Sequence, residues 1–192
     1  MLRIVLIRPG RTDFDEQRRI QGALDIPLND QGSREVNDLA EQVRDYEIEC
    51  FYYSSGEPSR GTAERMAERL SVRAKKLDHM QNLDHGLWQG MCVEEVRRKQ
   101  PKVYRQWQEQ PESLCPPEGE MLAVARQRVQ SAMKKLLKKH KNGVIGLVVP
   151  EPLASLVRSH LNQSELGDLW TAGAEHCGWE VIEVLPPLLI QT

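Results

Sequence analysis

The chain has 192 residues, with 26 Lys and Arg against 28 Asp and Glu, and a formal net charge of −2 at pH 7. This near-balance gives no global field that would attract an anionic polymer or surface, so we expect neither a nucleic-acid nor a membrane partner. Hydrophobic residues make up 40% of the chain, and no apolar run approaches the roughly 18 residues of a membrane span. We therefore expect one globular domain over residues 1–192.

The four cysteines show no metal-binding or redox pattern. Cys50, Cys92, Cys115 and Cys177 form no C-x-x-C pair, and none lies at zinc-binding spacing from a histidine. A disulfide framework is typical of shorter, secreted chains. We therefore expect free thiols, a cytoplasmic location, and no required metal or cofactor.

The first half of the chain alternates between apolar strands and amphipathic helices. Leu2–Ile7 is short, apolar and rich in β-branched residues, which is typical of a strand buried on both faces of a parallel sheet. Arg8-Pro9-Gly10 ends it, because proline lacks the N–H that a strand ladder needs. The elements predicted next are a helix that Asp30 caps, with Val36, Leu39, Ala40 and Val43 on one face, a strand at Glu49–Ser54, a helix at Thr62–Leu70 and a strand at Val72–Leu77.

The second half is dominated by a long helix and a second strong strand. Glu120–His140 has apolar residues at helical spacing, and Val144–Val149 is a buried strand that ends at Pro150. The other predicted elements are short helices at Val93–Lys99 and Val103–Gln110, separated by Pro101, a helix at Leu153–Leu161 and a strand at Trp179–Val184.

This order of elements predicts an α/β fold, a three-layer α/β/α arrangement with a mostly parallel sheet. In open sheets of this kind, ligands bind at the carboxyl ends of the strands. Residues 8–10 and 150–152 follow two such ends, and Ser55–Arg60 follows another. The sequence therefore places a candidate site where these three segments meet.

Several short motifs, each occurring once, are distributed over roughly nine-tenths of the chain. They are Leu6–Asp13, Arg19–Gly22, Leu24–Asn29, Tyr53–Ser55, Thr62–Glu64, Asp84–Gly90 and Pro117–Glu120. Together they resemble the histidine phosphatase superfamily, the phosphoglycerate mutase-like proteins, whose opening motif reads Arg-His-Gly-x-Thr. The resemblance implies a phosphoglycerate mutase-like fold.

The resemblance also implies phosphoryl transfer through a phosphohistidine. In such a reaction a histidine attacks phosphorus, and imidazole suits this role because it is uncharged near pH 7. Two arginines and a second histidine hold the anionic oxygens of the transferred group. A carboxylic acid protonates the leaving group, since an alkoxide leaves poorly.

This chain retains one of those five positions. The first arginine falls on Arg8, but the nucleophile falls on Pro9, which has no nucleophilic side chain and whose nitrogen is a tertiary amide. The second arginine falls on Pro58, and the second histidine falls on Pro150. The acid falls on Asn82, whose amide can donate a hydrogen bond but cannot deliver a proton as an acid does.

Neighbouring residues complete the expected pocket. Arg60 and His85 are the candidates to compensate for lost side chains. Glu151 would place negative charge in the phosphate site if it points inward, whereas a helix-capping role would carry no such meaning. We therefore predict a vestigial phosphate pocket, with no intact catalytic set, formed by Arg8, Pro9, Gly10, Pro58, Arg60, Asn82, Pro150 and Glu151.

Two functions stay open at this point. The first is a pseudoenzyme that binds an unidentified protein or small molecule, since loss of a catalytic unit costs several powers of ten in rate. The alternative is a phosphomonoester hydrolase or mutase with a relocated nucleophile, with Arg11, Arg60 and His85 as compensating residues. Trp107, Trp170 and Trp179 either form an exposed interaction surface or pack internally. The resemblance is also compatible with a homo-oligomer.

Overall fold

The computed structural model describes residues 1–113, 115–169, 172 and 177–185, and a single sheet lies at its centre. The strands of this sheet are β1 (Leu2–Ile7), β2 (Cys50–Tyr53), β3 (Arg73–Lys76), β4 (Gly143–Val148) and β5 (Trp179–Glu183). Their spatial order is β3-β2-β4-β1-β5. All neighbouring pairs are parallel except β1 and the edge strand β5, which are antiparallel. The predicted α/β fold with a mostly parallel sheet is confirmed.

Helices cover both faces of the sheet. They are α1 (Asp13–Glu16), α2 (Asp30–Gln42), α3 (Ser59–Arg69), α4 (Val93–Lys99), α5 (Pro101–Glu109), α6 (Leu122–Lys139) and α7 (Leu153–Asn162). Successive side chains of β1 point to opposite faces of the sheet. Val5 and Ile7 accordingly pack with α2 and α3, while Ile4 and Leu6 pack with α6 and α7. Burial of each such side chain contributes roughly 1.5–3 kcal/mol, so the two cores together fix the register of the central strands.

Two helix starts differ from the sequence-based prediction. Asn29, and not Asp30, caps α2, because the Asn29 side chain accepts a hydrogen bond from the Gly32 amide at 2.8 Å. The polar stretch before it contains the short helix α1. Thr12 and Asp15 close a reciprocal capping box at its start, which offsets the low helix propensity of so short a polar segment.

Two further helices also begin at residues other than those predicted. The helix α3 begins at Ser59, ahead of the predicted Thr62. Pro101 does not merely separate two helices; it is the first residue of α5, where its missing N–H has no helical partner to lose.

The tryptophans that the structure describes do not form an exposed apolar surface. Trp107 is buried, and Trp179 is half-buried with its ring 5.2 Å from that of Tyr46. Trp170 lies outside the described residues. The four cysteines are free thiols. Within the described ranges, no helix combines the length and the apolar character needed to cross a membrane.

Candidate functional site

A cavity of about 730 Å³ lies at the carboxyl ends of β1 and β4. Residues 8–10 follow β1, residues 150–152 follow β4, and Pro58 precedes the first residue of α3. The ends of β1, β4 and β2 meet because these strands are parallel neighbours in the sheet. Asn82, His85 and Trp107 form part of the surrounding wall.

The structure brings together seven of the eight residues expected in the vestigial pocket: Arg8, Pro9, Gly10, Pro58, Asn82, Pro150 and Glu151. Arg60 does not line the cavity, which corrects the sequence-based set. Its side chain is 55% exposed and forms an ion pair with Glu57, with Nη2 2.7 Å from Oε1. Because this partner lies three residues earlier in the chain, it holds the guanidinium at the surface and outside the cavity lining.

The loop after β1 offers few backbone donors to an anion. The Arg8 amide donates to the Gly178 carbonyl at 2.9 Å, and the Gly10 amide donates to Thr62 Oγ1 at 3.1 Å. Pro9 has no N–H, as is true of the prolines after β2 and β4. Clusters of free backbone N–H groups are what bind phosphate in many loops. Within residues 8–10, the chain either lacks those donors or uses them internally.

Glu151 both caps a helix and faces the cavity, so the two roles considered for it coexist. Its Oε2 accepts hydrogen bonds from the Ser155 amide at 3.0 Å and from the Ser155 hydroxyl at 2.7 Å, in the first turn of α7. Its Oε1 lies 3.9 Å from Nη1 of Arg8. The side chains of Arg8 and Glu151 are 16% and 6% exposed. The guanidinium of Arg8, the one position retained from the family motif, therefore lies beside the buried carboxylate of Glu151.

Asn82 serves as a bridge between two walls of the cavity. Its Nδ2 donates to the Gly22 carbonyl at 2.9 Å, and its Oδ1 accepts from the Leu83 amide at 2.8 Å. Arg128 supports the same segment, since it donates to the Asn82 carbonyl and forms two 2.7 Å contacts with the carboxylate of Glu120. Both ends of the Asn82 amide are thus engaged in structure.

We expect Asn82→Asp to lower the free energy of unfolding by about 2 kcal/mol. The substitution places a carboxyl group where the family has its acid, but it removes the donor to Gly22 and buries a charge beside a carbonyl oxygen. Urea denaturation at neutral pH measures the change. The control is Asn37→Asp, because Asn37 only accepts a hydrogen bond there, from Arg69 at 2.9 Å. Equal stability of wild type and Asn82→Asp would contradict the bridging role.

His85 is a buried, neutral imidazole in the cavity wall. Burial lowers its pKa to about 4, and the nearby Asp84 carboxylate opposes that shift only weakly. Its Nδ1 has no hydrogen-bond partner among the described residues. Its ring lies 5.5 Å from that of Trp107, which belongs to α5.

Further charged side chains of the cavity lining have partners within the protein. Arg11 forms an ion pair with Glu35 at 2.9 Å, and Nη1 of Arg19 donates to the Gly90 carbonyl at 2.6 Å. Arg19 is not among the residues predicted for the pocket, although Arg19–Gly22 is one of the family-like motifs and lines the cavity. Among the described side chains, no group of three His, Cys, Asp or Glu residues is placed to hold a metal ion.

Comparisons with known proteins agree with this fold. The model of the histidine phosphatase superfamily (branch 1) matches residues 4–186. The chain is 28% identical over 184 residues to phosphoserine phosphatase 1 of Hydrogenobacter thermophilus, covering 96% of this chain and 87% of that protein.

Solved structures show the same architecture. YhfR of Bacillus stearothermophilus superposes with a TM-score of 0.84 at 21% identity, covering 97% of this chain and 93% of that one. The mycobacterial glucosyl-3-phosphoglycerate phosphatase Rv2419c, solved as a complex with VO3, superposes with a TM-score of 0.82 at 20% identity, covering 94% and 90%. At such identities the structural likeness establishes the fold alone, whereas the family model covers nearly the whole chain. The chain therefore belongs to the histidine phosphatase superfamily.

Proposed function

We propose that this protein is a non-catalytic member of the superfamily that binds a ligand or a partner in its cavity. The observation that carries the proposal is Pro9, which lies beside Arg8 at the end of β1 and lines the cavity. Its ring carbons cannot attack phosphorus, and its amide nitrogen has no basic lone pair. A phosphohistidine cannot form at this position.

The rest of the site supports the same proposal. The amide of Asn82 is engaged with Gly22 and Leu83, so it neither carries nor releases an acidic proton. Pro58 and Pro150 supply no cation and no hydrogen-bond donor to a transferred phosphoryl group. Loss of the members of a catalytic unit lowers the rate by several powers of ten. What remains is a cavity that lacks the catalytic side chains.

A second candidate is phosphomonoester hydrolysis with His85 as a relocated nucleophile. The names of similar proteins favour it, since they include a phosphoserine phosphatase and a glucosyl-3-phosphoglycerate phosphatase. A neutral imidazole in the cavity wall, with an Nδ1 that has no hydrogen-bond partner among the described residues, also suits a nucleophile. The acid and the second cation of the family reaction would still need replacements.

Hydrolysis of p-nitrophenyl phosphate separates the two candidates. We expect wild type, Arg8→Ala and His85→Leu to release product no faster than buffer, because no side chain at the nucleophile position can form the covalent intermediate. A parallel assay in which this protein and the phosphoserine phosphatase from Hydrogenobacter thermophilus are both given phosphoserine would verify the conditions. Turnover that falls in Arg8→Ala would overturn the proposal, and turnover that also falls in His85→Leu would establish the second candidate.

A cytoplasmic location, a protein or small-molecule partner, and homo-oligomer formation stay predictions from the sequence. Gel filtration coupled to light scattering would test the last of these on the same purified sample.

A further inference from the structure

The segment Glu-Pro occurs at the start of two helices that follow neighbouring parallel strands. Glu57 precedes α3 after β2, and Glu151 precedes α7 after β4. One carboxylate oxygen of each accepts a backbone hydrogen bond in the first turn of its helix, from the Gly61 amide at 3.0 Å and from the Ser155 amide at 3.0 Å. A helix N-terminus attracts anions through its free N–H groups and its dipole. In both places the chain supplies the anion itself.

The second oxygen distinguishes the two glutamates. Oε1 of Glu57 binds the exposed guanidinium of Arg60 outside the cavity, at 2.7 Å. Glu151 lines the cavity, and its Oε1 is buried, lies 3.9 Å from Arg8 Nη1, and has no hydrogen-bond partner among the described residues. A carboxylate oxygen that is buried and accepts no hydrogen bond is costly, and a ligand group that donates to it would remove that cost.

The polar groups around this oxygen select the kind of ligand. Arg8 is a cation and a donor, Oε1 of Glu151 is an acceptor, and Nδ1 of His85 is a second buried ring atom without a described partner. A hydroxyl group both donates and accepts, so it can donate to Oε1 of Glu151 and bond to Nδ1 of His85 without adding charge beside Arg8. A phosphate group only accepts when fully ionised and is repelled by Glu151, while an ammonium group only donates and is repelled by Arg8.

We infer that Glu151 is a built-in counter-ion that replaces phosphate beside Arg8, and that the cavity takes a neutral, hydroxyl-bearing ligand in preference to its phosphate ester. This inference rests on the proposed non-catalytic function and specifies its ligand. The site thus recognises an alcohol and not its phosphomonoester. Glu151, which makes this distinction, directly follows Pro150, where the family has its second histidine.

The first arm of the test is titration of wild type, Glu151→Gln and Glu57→Gln with inorganic phosphate, followed by two-dimensional NMR. We expect Glu151→Gln to bind phosphate at least about tenfold more tightly than wild type, and Glu57→Gln to bind it no better than wild type. The glutamine carbonyl can still accept from Ser155, so the cap of α7 is kept, and Glu57→Gln matches the charge change outside the cavity. Equal phosphate affinity of Glu151→Gln and wild type would overturn the role of Glu151.

The second arm compares matched pairs: glycerol with glycerol 3-phosphate, and ribose with ribose 5-phosphate. We expect wild type to bind at least one neutral member more tightly than its ester, and Glu151→Gln to reverse that order. Tighter binding of the esters by wild type, or saturable binding of no neutral member, would overturn the ligand class.

The two proposals fail in distinguishable ways. Inorganic phosphate carries no ester bond, so its binding is independent of turnover. Wild type that binds phosphate through Arg8 without hydrolysing p-nitrophenyl phosphate would overturn this inference and leave the non-catalytic function standing. Arg8-dependent hydrolysis would overturn the proposed function itself.

Discussion

Acidification should remove about 3 kcal/mol of folding free energy through His85 alone. The ordinary pKa of histidine is 6.5, and burial lowers that of His85 to about 4 in the folded protein. Above the unfolded value both states are neutral, so the full stability is present. As the pH falls below it, the unfolded chain takes up a proton that the folded chain does not, and stability is lost until the pH reaches about 4. Below that pH both states carry the charge and the loss stops.

Urea denaturation of wild type and His85→Leu across this range isolates the effect. Carboxylates and other histidines titrate in both proteins and cancel in the difference between their free energies of unfolding. We expect that difference to change by about 3 kcal/mol from neutral pH to pH 4, in the direction that weakens wild type. The control is His79→Asn, which removes an exposed imidazole and should reproduce the wild-type curve. Parallel curves for wild type and His85→Leu would show that the imidazole is not buried as described.

The sheet could be predicted from the sequence because its central strands have an unambiguous pattern. Val144–Val149 is a continuous apolar run, Leu2–Ile7 is apolar apart from Arg3, and a proline follows each run within two residues. Burial on both faces of a parallel sheet favours such runs. The helix α1 could not be predicted from periodicity, since it spans only four residues and none of them is buried. Its signal was the Thr12–Asp15 capping box, a side-chain arrangement and not an apolar pattern.

The residues of the candidate site could be predicted from the order of the motifs. The directions in which its charged side chains point could not. Strand ends that are parallel neighbours must converge, which is why Pro9, Pro58 and Pro150 line one cavity. Proximity in sequence groups Arg60 with these prolines, whereas its ion pair with Glu57 directs its side chain to the surface.

Two other side chains show the same dependence on contacts that are distant in sequence. One oxygen of Glu151 accepts from Ser155 while the other lies 3.9 Å from Arg8, so the helix cap and the inward-pointing charge do not exclude each other. The environment of His85 depends on Trp107, which belongs to α5 and is distant from His85 in sequence.

Gly86→Ala should lower the free energy of unfolding by about 3 kcal/mol, although the glycine lies in a loop. Gly86 has φ +51°, and a Cβ at this position would meet the backbone of the loop at 117–119, including the carbonyl oxygen of Pro117 and the Gly119 amide at 2.6 Å. The two loops are joined by a hydrogen bond from the Leu87 amide to the Pro117 carbonyl at 3.0 Å. A methyl group therefore imposes left-handed strain and also forces two backbone segments apart.

Gly90→Ala separates these two causes. Gly90 has φ +83°, yet nothing lies within 4 Å of a Cβ built there. Its alanine variant carries the strain without the collision, so we expect a loss of about 1 kcal/mol. Urea denaturation at neutral pH compares the two variants, and equal losses would show that the loops can separate at no cost. Because His85 directly precedes Gly86, the displacement should also open the cavity wall to water. The pH-dependent loss assigned to His85 should therefore shrink in Gly86→Ala and persist in Gly90→Ala.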